Sequence, residues 1–191
     1  MLLSKKKRQE YLKYLGFYNG NIDGIIGIKT KSAYKELQKA YFTRQSDIDG
    51  KYGSDTDKLL RNAYKVKKYC KDFTLSEFKC GCGGKHCTGY PIELNTQLLK
   101  NLQLVRDKYG ATTITSGMRC KKHNSGLVGS SKTSRHLKGK AVDIKTAITK
   151  TEKGRKSIMS FWKNLKNYHY TYCNIKGSHP NMGNAVHIDV K

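Results

Sequence analysis

The sequence has no long apolar run. No stretch approaches the ~20 apolar residues that a membrane-spanning helix needs, so we predict no membrane span. The first eight residues include a run of four basic residues, but no apolar region follows them, and the start therefore does not fit a secretory signal. We expect the protein to accumulate in the cytoplasm and, if its target lies outside the membrane, to depend on another factor for release.

Acidic residues are scarce. The chain of 191 residues has 14 Asp and Glu against 38 Lys and Arg, which gives a formal net charge of +24. Such an excess favours a polyanionic partner, and nucleic acid and a phosphate-rich bacterial wall are both candidates on charge alone. The basic residues are spread along both halves of the chain. Because no arginine-packed recognition helix and no RNA-type aromatic motif is present, we rank nucleic acid last.

The chain also lacks the paired Cys-x-x-Cys knuckles of a zinc ribbon. It has six cysteines at uneven spacing, and Cys80, Cys82 and Cys87 lie within eight residues, together with His86. In a chain expected in the cytoplasm, such clustering favours a metal site or free thiols over a disulfide framework. This loop could supply most of a structural zinc site with Cys120 as the fourth ligand. Free or paired thiols are the alternative.

An internal repeat organises residues 1–70. The pattern Asp-Gly-x-x-Gly-x-x-Thr begins at Asp23 and again at Asp49. The glycines favour a turn, and apolar residues at helical spacing follow each copy. With one earlier helix, the sequence predicts a small three-helix bundle. A basic segment at 65–74 reads as a linker to a second domain over residues 71–191.

The second domain mixes helices with short strands. An apolar stripe predicts a helix from Ile92 to Tyr109, and a pattern resembling a capping box at 149–152 predicts the start of another. Runs rich in β-branched or alternating residues predict strands at 112–116, after Gly139, at 168–175 and at 186–190. This order predicts an α+β fold with a mostly antiparallel sheet.

Two of these strand segments carry the residues best suited to chemistry. Asp143 lies on the polar face of one, and His187 and Asp189 share the polar face of the other. Together with His136, they offer two imidazoles and a carboxylate. These fill three corners of a tetrahedron and leave the fourth for water, as a hydrolytic zinc ion requires. On spacing alone, ordinary packed His–Asp pairs remain the alternative.

Three separated motifs occur in the order of a known family. The pattern Ser-x-His-x-x-Gly-x-Ala-x-Asp, the later Val-His-Ile-Asp-Val and an upstream Thr-Ser-Gly-Met-Arg followed by His-Asn resemble the zinc D-alanyl-D-alanine carboxypeptidase family, which includes many phage endolysins. The likeness runs from about Phe73 to Lys191. The stretch from Tyr11 to Gln38 resembles the three-helix peptidoglycan-binding domain of wall hydrolases.

This resemblance implies roles for particular residues. His136, Asp143 and His187 are the expected ligands of one catalytic Zn²⁺. Arg119 matches the arginine that contacts the substrate near the scissile bond in the family, and we predict that it stabilises the developing oxyanion. The cysteine loop is a candidate for a second zinc ion.

The general base is where this chain departs from the family. Relatives commonly place Glu or Asp three residues before the final histidine, where this chain has Asn184, and an amide cannot take up a proton. By elimination among the few carboxylates of this half, we predict Asp189 as the base. His179 is a second candidate, and the alternative role for Asp189 is to orient His187.

The combined resemblance implies an endolysin, a peptidoglycan hydrolase that cuts amide bonds in the stem peptides of the wall. By family analogy alone we expect an endopeptidase rather than a D,D-carboxypeptidase. The alternative is a non-catalytic, zinc-containing wall-binding protein that has lost its base. The expected partners are peptidoglycan and anionic wall polymers. We expect a monomer that stays in the cytoplasm until it is released to the wall.

Overall fold

The computed structural model describes all residues from 1 to 191. They form six α-helices and one sheet of four strands, which confirms the predicted α+β class. The helices are α1 (Lys5–Leu15), α2 (Ile28–Tyr41), α3 (Ser54–Tyr69), α4 (Thr96–Tyr109), α5 (Lys121–Ser125) and α6 (Glu152–Lys163). The strands are β1 (Thr112–Ser116), β2 (Ala141–Thr146), β3 (Tyr168–Cys173) and β4 (Val186–Val190). No helix has the length and apolar character that a membrane span requires.

The sequence repeat is a structural repeat in the bundle formed by α1, α2 and α3. Gln9 is fully buried, and its Nε2 donates to Asp23 Oδ1 at 2.8 Å while its Oε1 accepts from the amide of Gly24 at 2.7 Å. Gln38 makes the matching contacts with Asp49 and Gly50 at 3.0 and 2.7 Å. Each buried glutamine thus fixes one glycine turn, and both glycines have the positive φ that the turn requires.

Helix α3 is longer than the sequence indicated. It continues to Tyr69, with Val66 buried in the apolar core, so the first half of the segment predicted as a linker is helical. The fully buried Asn62 of α3 also binds the second half of the chain: its Nδ2 donates to Ile92 O at 2.9 Å and its Oδ1 accepts from Leu94 N at 2.8 Å. The two halves share one apolar cluster, and the domain boundary near residue 70 stays a prediction.

The sheet has the order β1-β2-β4-β3, and every neighbouring pair is antiparallel. One face packs on α4 and α6 through fully buried side chains, among them Val142, Ile144, Val186, Ile188 and Val190. The opposite face carries Asp143, His187 and Asp189. The alternation predicted for β2 and β4 is therefore confirmed, and it separates the core from the polar site.

Two helix starts differ from the predicted ones. Helix α4 begins at Thr96 rather than Ile92, because Asn95 Oδ1 accepts from the amides of Gln97 and Leu98 and ends the preceding extended segment. Helix α6 is capped by Thr151, whose Oγ1 accepts from the amide of Gly154 at 3.0 Å. The predicted capping box at 149–152 is therefore wrong.

Candidate active site

A broad cleft lies over the polar face of the sheet. Its volume is 1320 Å³, and its walls are the sheet and the loops that carry residues 127–135 and 178–182. The five residues predicted for zinc binding and catalysis all line it: Arg119, His136, Asp143, His187 and Asp189. The structure therefore brings together side chains from three separate sequence motifs.

Three of these side chains converge on one point. His136 Nε2 lies 3.3 Å from His187 Nδ1 and 3.4 Å from Asp143 Oδ1, and His187 Nδ1 lies 2.8 Å from Asp143 Oδ1. Ligands at the usual zinc distance of ~2.0–2.1 Å stand about 3.3 Å apart in a tetrahedron. The triangle therefore has the size of one face of a zinc coordination sphere.

Strand register and a short turn position the triangle. Asp143 on β2 is directly opposite His187 on β4 in the antiparallel ladder. His136 lies in the 3₁₀ turn Arg135–Lys138, which ends at Gly139 with φ 64°, and a Cβ at Gly139 would collide with the carbonyl group of Glu93. The glycine between the first two ligands is thus required both by its conformation and by the close approach of the backbone.

The second nitrogen of each imidazole is already engaged. His136 Nδ1 donates to the carbonyl oxygen of Gly117 at 2.8 Å, and His187 Nε2 donates to Asp189 Oδ2 at 3.1 Å. The remaining nitrogens face Asp143, so two lone pairs and a carboxylate point at one another. A cation between them would turn the repulsion among these electron pairs into attraction. Two imidazole nitrogens and a carboxylate oxygen are a ligand set that fits a zinc ion.

Burial and mutual contact also shift the pKa values of these groups. Burial opposes the charge on Asp143, but in the metal-free site the two imidazoles can donate to it when their facing nitrogens are protonated, and this holds the pKa of Asp143 well below its usual range. Burial lowers the pKa of His136. Burial also acts to lower the pKa of His187, but its bonds to Asp143 and Asp189 prevail and raise it.

Arg119 lies beside the triangle. Its Nη2 is 3.0 Å from Asp143 Oδ2, and its Nε and Nη2 both donate to Ser116 Oγ at 3.0 and 2.9 Å. Its backbone amide donates to His136 O at 3.3 Å. The guanidinium is thus fixed next to the carboxylate that we expect to bind zinc, with its charge facing the cleft.

Asp189 is surrounded by donors. One oxygen accepts from His169 Nδ1 at 2.8 Å and from the amide of Tyr170 at 2.9 Å, and the other accepts from His187 Nε2. These contacts favour the alternative role in which Asp189 orients His187. Its role as the general base stays a prediction.

Two family models match this chain. Residues 71–189 match the family model described as Peptidase M15. This chain belongs to the Peptidase M15 family. Residues 6–56, ahead of the M15 domain, match the model described as a putative peptidoglycan binding domain. The predicted two-part resemblance is therefore confirmed.

Two curated relatives are similar to part of the chain. A spore cortex-lytic enzyme of Oceanobacillus iheyensis is 35% identical over 82 residues, which are 42% of this chain and 27% of that enzyme. A spore cortex-lytic enzyme of Bacillus subtilis is 28% identical over 89 residues, 47% of this chain and 28% of that enzyme. This M15 chain thus matches little more than a quarter of the length of each relative.

Two features of the M15 site were missed by the sequence analysis. The ring of Tyr172 stacks on His187 with centroids 4.6 Å apart, and it also lies 4.9 Å from the ring of His179. His169, on the same strand as Tyr172, binds Asp189. The pairing of β3 with β4 places Tyr172 opposite His187, and because this register is set by tertiary packing, no local sequence signal marked either contact.

The structure also explains the departure from the family at Asn184. Its Oδ1 is 3.4 Å from Arg155 Nη1 of α6, and it does not line the cleft. Asn184 lies in the turn before β4 and its amide is held towards α6 rather than towards the cleft. Asn184 is therefore not placed to act on a substrate of the M15 domain.

The cysteine loop lies beside the M15 cleft. The structure brings Cys120 to Cys80, Cys82 and Cys87, as the sequence analysis anticipated, and His86 is not part of the group. All six cysteines of the chain are free thiols.

Proposed function

We propose that this protein is a peptidoglycan hydrolase that cuts amide bonds in the stem peptides of the bacterial wall, with one zinc ion held by His136, Asp143 and His187. The convergence of these three side chains in an open cleft of an M15 domain carries the proposal. The peptidoglycan-binding domain supports the wall as the target.

The chain's own residues prepare the ligands. When bound, zinc would supply a Lewis acid that polarises the scissile carbonyl and acidifies a water molecule. Gly117 O keeps the proton of His136 on Nδ1, and Asp189 keeps the proton of His187 on Nε2. Each imidazole therefore presents a free lone pair at the nitrogen that faces the centre.

Arg119 supplies fixed positive charge. Its bonds to Ser116 and Asp143 hold the guanidinium in place before substrate arrives. A preorganised cation next to the reacting carbonyl stabilises the negative charge that develops on its oxygen. The role of Arg119 is thus to stabilise the oxyanion.

Proton transfer is best assigned to His179. The carboxylate of Asp189 is 3% exposed and already accepts three hydrogen bonds, whereas His179 is exposed on the rim of the cleft. Tyr172 lies between His179 and His187. Asp189 then orients His187.

The cleft also suits an anionic substrate. Besides Arg119, four Lys and Arg side chains line it: Lys79, Arg135, Lys138 and Lys145. Stem peptides carry free carboxylates and wall polymers carry phosphates, so both are attracted to a protein with a net charge of +24.

A non-catalytic wall-binding protein is the second candidate, favoured by Asn184 at the position where relatives carry an acid. Purified peptidoglycan incubated with the zinc-loaded protein distinguishes the two. The proposal predicts release of new free amino groups and of peptide fragments whose masses identify the bond. If the protein sediments with the wall as well as His136→Ala does, and neither protein releases amino groups or peptides, the second candidate would be established.

A further inference from the structure

The four clustered cysteines are separate from the apolar core. Cys80, Cys82 and Cys120 form a buried group of their own, with Cys87 packed against it. The two remaining cysteines, Cys70 and Cys173, are buried in the main core, where a free cysteine packs as a small apolar side chain. Apolar packing accounts for those two residues but not for a cluster that consists only of sulfur groups.

The spacing of the sulfur atoms fits a metal ion. The four Sγ atoms all lie within 4.8 Å of one another, and Cys82 Sγ and Cys87 Sγ are 3.5 Å apart. Zinc binds thiolates at ~2.3 Å, which sets the sulfurs of a tetrahedron about 3.8 Å apart. A disulfide would need a sulfur–sulfur distance of ~2.05 Å. The four side chains therefore need only small movements to enclose an ion.

Backbone amides already point at three of the sulfurs. Cys80 Sγ accepts from the amide of Cys120 at 3.3 Å, Cys87 Sγ accepts from Gly89 at 3.4 Å, and Cys120 Sγ accepts from His123 at 3.4 Å. A neutral thiol is a weak acceptor, whereas a thiolate gains from each N–H bond. These contacts favour the deprotonated form that binds metal.

The loop is preshaped for this geometry. Gly83 and Gly84 have φ of 61° and 88°, and the amide of Cys80 donates to Gly89 O at 2.8 Å to close the base of the loop. Four thiolates around a divalent cation leave a formal charge of −2. Basic residues next to the ligands in sequence offset it: Lys79, Lys85, Lys121 and Lys122.

We propose that Cys80, Cys82, Cys87 and Cys120 bind a structural zinc ion distinct from the catalytic centre. Four thiolates fill the coordination sphere and leave no position for water, so this ion takes no part in hydrolysis. Arg119 directly precedes Cys120, and its amide binds His136 O. The ion fastens the segment that carries Arg119 to the cysteine loop and so helps to position the guanidinium in the cleft.

Metal analysis of the full-length protein tests this assignment. The parent should hold two zinc ions, Cys82→Ala and His187→Ala one each, and the matched control Cys173→Ala two. After exchange with Co²⁺, the parent and His187→Ala should show a sulfur-to-cobalt charge-transfer band, and Cys82→Ala should not. The band reports on the cysteine site even if the catalytic proposal fails, and its presence in the parent does not depend on the folding of any variant.

Three results would overturn the proposal. A parent that shows no sulfur-to-cobalt band has no thiolate site. Iron in place of zinc at one equivalent per cysteine cluster would contradict the choice of metal. A mass lower by two hydrogens for each bond, with loss of titratable thiols under non-reducing conditions, would show disulfides instead.

Discussion

The substitution Asp189→Asn separates orientation of His187 from general-base chemistry. Asparagine keeps the shape of aspartate but accepts hydrogen bonds at only one of its two terminal atoms. If its oxygen keeps the bonds from Tyr170 and His169, its amide group faces His187 Nε2 and cannot accept that proton. His187 then favours a proton on Nδ1, the atom that faces Asp143.

The size of the effect follows from the loss of a partner that orients a metal ligand. Such losses typically cost 10–100-fold in metal affinity, or about 1.4–2.7 kcal/mol. We expect the zinc affinity of Asp189→Asn, measured by competition with a chromophoric chelator, to fall by this factor. Asp107→Asn, an exposed change on α4, is the matched control and should leave the affinity unchanged.

Activity at saturating zinc completes the test. If Asp189 only orients His187, much of the wall hydrolysis should return once the site is filled, and the pH profile should keep its acidic limb. If Asp189→Asn kept the zinc affinity of the parent but lost the acidic limb of its pH–activity profile, Asp189 would be the general base and the orienting role would be refuted. His179→Ala should then leave the pH profile intact, whereas the proposal predicts that it changes.

Three further predictions address the site and the fold. Arg119→Lys should lower kcat for stem-peptide hydrolysis by about 10–100-fold with zinc content unchanged. The reason is that a lysine ammonium cannot contact Ser116 and Asp143 in the geometry of the guanidinium. Steady-state kinetics and metal analysis check this. The raised pKa of His187 means that protons compete with zinc, so chelator competition should show affinity rising with pH until that pKa is passed. In the metal-free protein the same group stabilises the fold below its unfolded pKa, and thermal melts should show this contribution lost as pH rises through the folded value. Asn62→Ala should lower the free energy of unfolding by about 2–4 kcal/mol in denaturant titrations, because it leaves two buried backbone groups between the halves without partners.

The candidate ligands were accessible from sequence for a physical reason. His136 and Asp143 are separated by one turn and a glycine, and the two-residue alternation of β2 and β4 fixes which side chains share a face. Local sequence patterns were therefore enough to predict most of the three ligands.

Contacts between distant segments were not accessible in this way. The helical continuation of α3 to Tyr69 depends on burial against the second half of the chain. The start of α4 depends on the cap at Asn95, and the amide of Asn95 donates to Gly139 O at 2.8 Å. Tyr172 joined the site only through the register of β3 on β4. Each of these features is decided by tertiary packing, which a single sequence does not display.

The central claim is that His136, Asp143 and His187 hold the zinc ion that hydrolyses the wall. Its most direct test is the zinc content of the parent and of His187→Ala, measured beside the clearing of purified walls after zinc reconstitution. We expect His187→Ala to have one equivalent of zinc fewer than the parent and to clear nothing, while the parent clears walls and loses this ability on chelation. Equal zinc content in the two proteins, or clearing that persists without His187, would contradict it.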